Sequence, residues 1–277
     1  MLQRHIIHRL IQLALKEDVA SGDITTSAVL SGKEIGQARV VAKEDMVVAG
    51  IVVFKEVFLF SEEKAEFTDS VEDGKFVKGG DVLTEISGNL GNILTAERVA
   101  LNLFQRMCGI ATLTRRYVDE IRGTGAKILD TRKTTPGLRI LEKYAVRIGG
   151  GFNHRFGLYD GILIKDNHID AAAGIFVAVD RVNKSAPHTL KIEIEVKNLR
   201  EVEEALSAGV DVIMLDNMGV GEIKKAVSLI NGTVLVEASG NVTLFNVRKI
   251  AETGVDFISV GALTHSAPAS DISLQII

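Results

Sequence analysis

The chain has 277 residues, 46% of them hydrophobic and 25% charged, with a net charge of −4. This composition excludes a disordered or collagen-like chain, and Cys108, the only cysteine, excludes an intrachain disulfide framework. Apolar runs such as Val47–Phe54 fall well short of the roughly 18 residues that span a bilayer, Gln12, Lys16, Glu17 and Asp18 interrupt any signal-peptide core, and the acidic balance argues against nucleic acid as a partner.

Ile7, Leu10, Ile11 and Ala14 repeat at helical spacing, and Gly22-Asp23 ends that pattern. Ala38–Ala42, Met46–Phe54 and Ala65–Phe67 read as strands or short buried elements, and Asp73-Gly74, Gly79-Gly80 and Ser87-Gly88 as hairpin breaks. From Thr95 the pattern is helical, with Ala96, Ala100, Leu103 and Met107 on one face, a stop at Gly109 and a second helix over Ala111–Ile121. The chain then alternates. Strand-like cores at Lys127–Asp130, Gly161–Lys165, Lys191–Val196, Val212–Asp216, Val234–Glu237 and Phe257–Val260 are interleaved with helical patterns at Asp170–Asn183, Leu199–Ala208, Val220–Ile230 and Thr243–Thr253. Repeated β-α units imply a parallel sheet, as a barrel or a doubly wound sheet. The reading is an N-terminal α+β domain over residues 1–110, rejoined by residues 268–277, and a C-terminal α/β barrel over residues 111–267.

Charge is unevenly distributed. Between Thr95 and His168, thirteen Lys and Arg oppose seven Asp and Glu, so this segment carries +6 and the remainder −10. Solvated helix faces explain such a run as readily as an anion site. The strand ends say more: Asp130-Thr131-Arg132-Lys133, Lys165-Asp166-Asn167-His168, Glu195, Asp216-Asn217, Glu237-Ala238-Ser239-Gly240-Asn241 and Gly261-Ala262 all fall where a parallel barrel gathers its active site. Any one of these charges could be a structural ion pair; five successive strand ends carrying them argue for a site. Glu193 and Glu195, two apart, point to the same side of their strand and into the barrel. Cations (Arg132, Lys133, Arg155, Lys165) beside acids (Glu195, Asp216) suit a polyanionic substrate bridged by a divalent cation, and an oxygen-only donor set favours Mg²⁺ over zinc. The loops Ser239–Asn241 and Gly261–Ser266 suit a phosphate, although plain turn chemistry explains either one alone. Gly149-Gly150-Gly151 follows a helical pattern, not a strand, so it reads as a place of close backbone packing.

The sequence resembles the quinolinate phosphoribosyltransferase family over nearly its whole length. The resemblance rests on Gly22-Asp23-Ile24-Thr25-Thr26, Glu97-Arg98, Gly109-Ile110-Ala111-Thr112, Asp130-Thr131-Arg132-Lys133-Thr134, Lys143-Tyr144-Ala145-Val146, Gly149-Gly150-Gly151, Asn153-His154-Arg155, Lys165-Asp166-Asn167-His168, Glu193-Ile194-Glu195-Val196, Asp216-Asn217, Ser239-Gly240 and Gly261-Ala262-Leu263-Thr264-His265-Ser266. It implies an N-terminal open α+β sandwich followed by an incomplete seven-stranded α/β barrel. It also implies Mg²⁺-dependent transfer of phosphoribosyl from phosphoribosyl pyrophosphate to quinolinate with decarboxylation, as part of NAD synthesis in the cytoplasm. By the same resemblance Arg132, Arg155, His154 and a partner chain's Arg98 clamp quinolinate. Lys165 touches both substrates and Lys133 binds the phosphoribosyl donor. Glu195 and Asp216 hold Mg²⁺ or ribose, with Lys165, Glu195 and Asp216 as the catalytic set. Ser239, Gly240, Asn241, Gly261 and Ala262 hold the 5′-phosphate, and the assembly is a homodimer or a set of dimers. A molybdate-transport paralogue of similar fold is disfavoured by Lys165–His168 and Asn153–Arg155. A Schiff-base aldolase using Lys165 is disfavoured by the arginine excess, and a non-catalytic phosphometabolite sensor would be excluded by turnover.

Overall fold

The computed structural model describes residues 2–61 and 64–277. Helix α1 (Arg4–Val19) buries Ile7 and Ile11, one turn apart, as their spacing predicts. Asp23 caps α2 (Ile24–Val29) by accepting the Thr26 N–H at 2.9 Å. Strands β1 (Ile35–Ala42) and β2 (Met46–Val47) follow. The strand reading of Met46–Phe54 holds only for its first two residues. Gly50, at φ 94°, turns the chain, and α3 (Ile51–Ser61) begins where Asp73 accepts the Gly50 and Ile51 N–H groups. A continuous apolar run has no period, so strand and buried helix look alike in sequence.

Strands β3 (Glu66–Thr68), β4 (Phe76–Val77) and β5 (Val82–Asn89) come next. Ser87-Gly88 is not a hairpin break: it lies inside β5, paired with Gly36 and Gln37 of β1. Helix α4 (Leu90–Glu120) runs for 31 residues without stopping at Gly109. A Cβ there would lie 1.9 Å from the Pro268 carbonyl oxygen, so the glycine serves a close approach and not a helix end. One turn of the same helix buries Cys108, whose thiol is pushed up to about 12 by desolvation.

The second half alternates: β6 (Lys127–Leu129), α5 (Arg139–Ile148), β7 (Ile162–Ile164), α6 (Asp166–Ala172), α7 (Ile175–Ser185), β8 (Ile192–Val196), α8 (Leu199–Ala208), β9 (Val212–Asp216), α9 (Val220–Ile230), β10 (Leu235–Ser239), α10 (Val247–Ala251), β11 (Phe257–Ser259), α11 (Ala262–His265) and β12 (Ile272–Ile276). Helices α8 and α9 have the bounds read from the sequence. The helix expected over Asp170–Asn183 is instead two, broken where Ala173 and Gly174 take φ 65° and 138°. The triple glycine behaves as its context suggested, since a Cβ on Gly149 would lie 2.6 Å from the Ala111 carbonyl oxygen.

Contacts divide the chain into two compact units. One comprises Met1–Arg115, Thr134–Gly150 and Leu263–Ile277; the other comprises Arg116–Lys133 and Gly151–Ala262. Residues 134–150, which the sequence division grouped with the barrel, thus belong to the first unit. That unit contains an antiparallel sheet in the order β12-β1-β5-β3 and the β2-β4 pair. The second contains a parallel sheet in the order β6-β11-β10-β9-β8-β7. It is an open, barrel-like α/β sheet of six strands, and the seventh strand that the resemblance implies is reduced to a parallel bridge between Phe152 and Leu129. Because all six strands run the same way, their C-terminal ends share one rim. Among the described residues no helix is long and apolar enough to cross a membrane.

Candidate active site

The rim of the parallel sheet encloses a cavity of about 660 Å³. Its lining includes Arg132, Lys133, His154, Arg155, Lys165, Glu195, Asp216, Ser239, Gly240 and Asn241, ten of the thirteen residues singled out in the sequence. Gly261 and Ala262 lie just beyond β11, at the start of α11, and do not line it; Ser259, at the end of β11, does. Arg98 is on α4 in the first unit, with a side chain 58% exposed and its Nη2 3.7 Å from Glu97.

Buried Asp130, directly after β6, organises the cationic wall. One of its oxygens accepts the His154 N–H at 2.9 Å and the other the Asn153 amide at 2.6 Å, fixing the segment that carries Arg155. Arg155 donates to the Gly161 carbonyl at 3.0 Å. Burial, then the neighbouring Arg132, pulls the Arg155 guanidinium below its ordinary pKa, and Glu193 acts in the opposite sense. Two guanidinium groups thus share one partly dry cavity, an arrangement that a bound anion relieves.

Across the cavity, Lys165 follows β7 and its Nζ lies 3.1 Å from Glu195 Oε2. The start of α6 is fixed locally, where the Lys165 N–H donates to His168 Nδ1 at 2.9 Å. Glu195 on β8 pairs in register with Met214 on β9, and Asp216 lies two residues further, so Glu195, Met214 and Asp216 face the same side, into the cavity. Oxygen donors on adjacent strands fit a hard divalent cation such as Mg²⁺.

The opposite wall depends on a glycine. Asn217, at φ 55°, donates to Asp216 at 2.8 Å and accepts from Asn241 at 2.9 Å. A Cβ on Gly240, itself at φ 92°, would lie 2.2 Å from Asn217 Oδ1. Only glycine lets the two loops interlock, and the Ser239–Asn241 backbone is thereby presented to the cavity. Asn217 was visible in the sequence as a strand-end residue, but its bridging role was not. Glu193, expected to point inward, does so one layer deeper, where its Oε2 is 2.9 Å from His154 Nε2.

The sequence profile of the quinolinate phosphoribosyl transferase C-terminal domain matches residues 110–275, and that of the N-terminal domain matches residues 23–108. A probable nicotinate-nucleotide pyrophosphorylase (carboxylating) of Synechocystis sp. is 48% identical over 275 residues, covering 98% of this chain and 93% of that one. Its counterpart in Bacillus subtilis is 43% identical over 270 residues, with 98% and 93% covered. The crystal structure of NadC from Streptococcus pyogenes superimposes with a TM-score of 0.96 at 41% identity, covering 100% of this chain and 99% of that one.

Proposed function

Because the chain belongs to the quinolinate phosphoribosyltransferase family, we propose how its cavity carries out the family reaction. The enzyme transfers phosphoribosyl from phosphoribosyl pyrophosphate to quinolinate and releases pyrophosphate and CO2, giving nicotinate mononucleotide for NAD biosynthesis. The observation that carries this reading is the pairing of Arg132 and Arg155 in one cavity with Lys133 and Lys165. A planar dicarboxylate is what two guanidinium forks grip, and a phosphorylated sugar is what two ammonium groups and a glycine loop hold.

In our reading Arg132 and Arg155, with His154 beside them, orient quinolinate so that its ring nitrogen faces the anomeric carbon. Lys165 spans both substrates, Lys133 binds the phosphoribosyl donor, and the Ser239–Asn241 loop takes the 5′-phosphate together with Gly261 and Ala262, just beyond Ser259 of the cavity lining. The nitrogen attacks the anomeric carbon as pyrophosphate leaves. Glu195 and Asp216 face the positive charge that develops on the ribose, and the lysines face the departing negative charge. The ribosylated ring nitrogen is cationic and accepts the electron pair left when the adjacent C–COO⁻ bond breaks and CO2 departs; a proton then replaces the lost carboxylate. Glu195 and Asp216 would hold Mg²⁺, which when bound neutralises charge on the diphosphate.

We further infer a homodimer, or an assembly of dimers, in which exposed Arg98 completes the partner's site, working in the cytoplasm, where lone, buried Cys108 needs no oxidising compartment. Incubation of the purified protein with quinolinate, phosphoribosyl pyrophosphate and Mg²⁺ should yield equal amounts of nicotinate mononucleotide and CO2. Nicotinate mononucleotide formed from nicotinate but not from quinolinate would overturn the reading.

A further inference from the structure

Beneath the substrate cavity, the interior of the parallel sheet holds three side chains whose arrangement the reaction scheme does not use. Glu193 lies two residues before Glu195 on β8, Glu237 two residues before Ser239 on β10, and His154 just after the Phe152 bridge. His154 lines the substrate cavity and also a second cavity, of about 590 Å³, at the strands' N-terminal ends; Glu193 and Glu237 line only the second. The His154 Nε2 is 2.9 Å from Glu193 Oε2 and 3.8 Å from Glu237 Oε2. His154 therefore stands between the substrate cavity and a layer of buried acid.

The hydrogen bonds assign the protons in this layer. The His154 Nδ1 accepts the Arg155 N–H at 2.7 Å, so the ring proton sits on Nε2 and points to Glu193. Arg155 also interacts electrostatically with Glu193. Glu193 Oε2 thus faces the donor, while its Oε1, like Oε1 of Glu237, is buried without a hydrogen-bond partner, so the two carboxyls each keep one oxygen that a shared proton would satisfy. Glu237 is 2% exposed, and its Oε1 has no hydrogen-bond partner. The groups that act on it most are Glu193 from β8, Ser259 from β11 and Asp130 from beyond β6, with the His154 ring 3.8 Å away. Two of these are acids; among the described residues Arg155 and Lys191 line the same cavity, and neither is among the groups that shift Glu237 most. Desolvation first and the charge of Glu193 second push the Glu237 carboxyl well above the ordinary carboxylate range. An ionised carboxylate with an unpartnered buried oxygen is costly, whereas a neutral acid is not and has an O–H to donate.

We propose that Glu237 stands as a neutral carboxylic acid hydrogen-bonded to Glu193, and that the pair is the positioning element that holds His154 in one tautomer and one pose at the floor of the substrate cavity. This deepens the functional reading above and rests on it. The same three side chains have the make-up of a metal site, with ligand atoms within 4.8 Å of one another. A cation on His154 Nε2 would require an imidazolate, because Nδ1 is already an acceptor, and the geometry therefore favours a proton over a metal.

Infrared difference spectroscopy on the free protein at neutral pH reads the acid directly. A protonated carboxyl band should be present in the native chain and absent from Glu237→Gln, and the ¹⁵N signals of His154 should report the neutral Nε2–H form in both. The amide is neutral and can donate to Glu193, so Glu237→Gln should keep kcat/KM for quinolinate within about threefold of native. Glu237→Ala should raise the KM for quinolinate about tenfold, leaving that for phosphoribosyl pyrophosphate within about twofold, a split that general loosening of the fold would not give. Three results would overturn the proposal: absence of the acid band, equal rises in both KM values, or one Zn²⁺ bound per native chain and none by Glu237→Gln in equilibrium dialysis. If Glu237→Ala fails to fold, the native and Glu237→Gln spectra decide alone. The spectra do not depend on turnover, so failure of the quinolinate assay would remove the functional reading and leave the state of Glu237 separately measured.

Discussion

Arg132 and Arg155 repel each other across the cavity, and a bound dicarboxylate converts that repulsion into two charge-assisted contacts. Replacing either with Ala should cost about 1.5–3 kcal/mol of quinolinate binding, roughly 10- to 150-fold in its KM, with a smaller effect on the phosphoribosyl donor. Steady-state titration of each substrate at saturating levels of the other tests this, and equal effects would remove the clamp assignment. Glu237 makes a prediction of opposite character. Its folded-state carboxyl binds its proton more tightly than the unfolded chain does, so stability should fall as pH rises above the ordinary carboxyl range, until the raised folded value is passed. Glu237→Gln should flatten that fall, which thermal unfolding at a series of pH values would show. Arg132, Lys133 and Lys165 were legible in the sequence because each follows a strand end, where the parallel-sheet pattern supplies the direction, whereas Arg155 follows only the isolated Phe152 bridge. Glu237 was visible only as part of such an end. Its partnership with Glu193 and His154 joins three separate segments, and no local pattern encodes it.

At the scale of elements, helices α8 and α9 were readable to the residue because their apolar positions repeat cleanly and Gly209 closes the first in a left-handed conformation. The run Met46–Phe54, which ends in the first turn of α3, was not, since it has no polar position to set a period. Gly109 was misread as a stop for a different reason: what fixes it is Pro268, far along the chain. Gly109→Ala should therefore destabilise the protein by about 1–3 kcal/mol or more, although alanine is the better helix former, because the opposing atom is backbone and cannot rotate away. Gly221→Ala, in α9 with nothing within 4 Å of the new Cβ, should lie within about 1 kcal/mol of native. Urea unfolding of both variants makes the comparison, and a neutral Gly109→Ala would show that α4 tolerates the contact.

Across the whole molecule, the net charge of −4 conceals a segment at +6 that supplies every Lys and Arg assigned to substrate, and the rest of the chain is acidic. The alternation of strands and helices made the parallel sheet legible, whereas the grouping of residues 134–150 with the first unit depends on contacts that alternation does not record. If Arg98 acts across a dimer interface, mixing the inactive Arg98→Ala and Lys165→Ala chains should restore activity, since each mixed pair assembles one site with both residues intact. A verified mixed dimer that stays inactive would place Arg98 elsewhere. Strand β12 carries a further consequence. Its antiparallel register with β1, from Ala38 opposite Ile276 to Ala42 opposite Ile272, closes one side of a sheet whose other strands are all made before α4. During synthesis β1 therefore emerges early and waits, its outer row of backbone donors and acceptors uncovered, while the entire parallel unit is translated. The parallel unit can complete its pairing before the first sheet does, and any interruption of translation ahead of β12 leaves a nascent chain with an open, strand-recruiting edge that chaperones must shield.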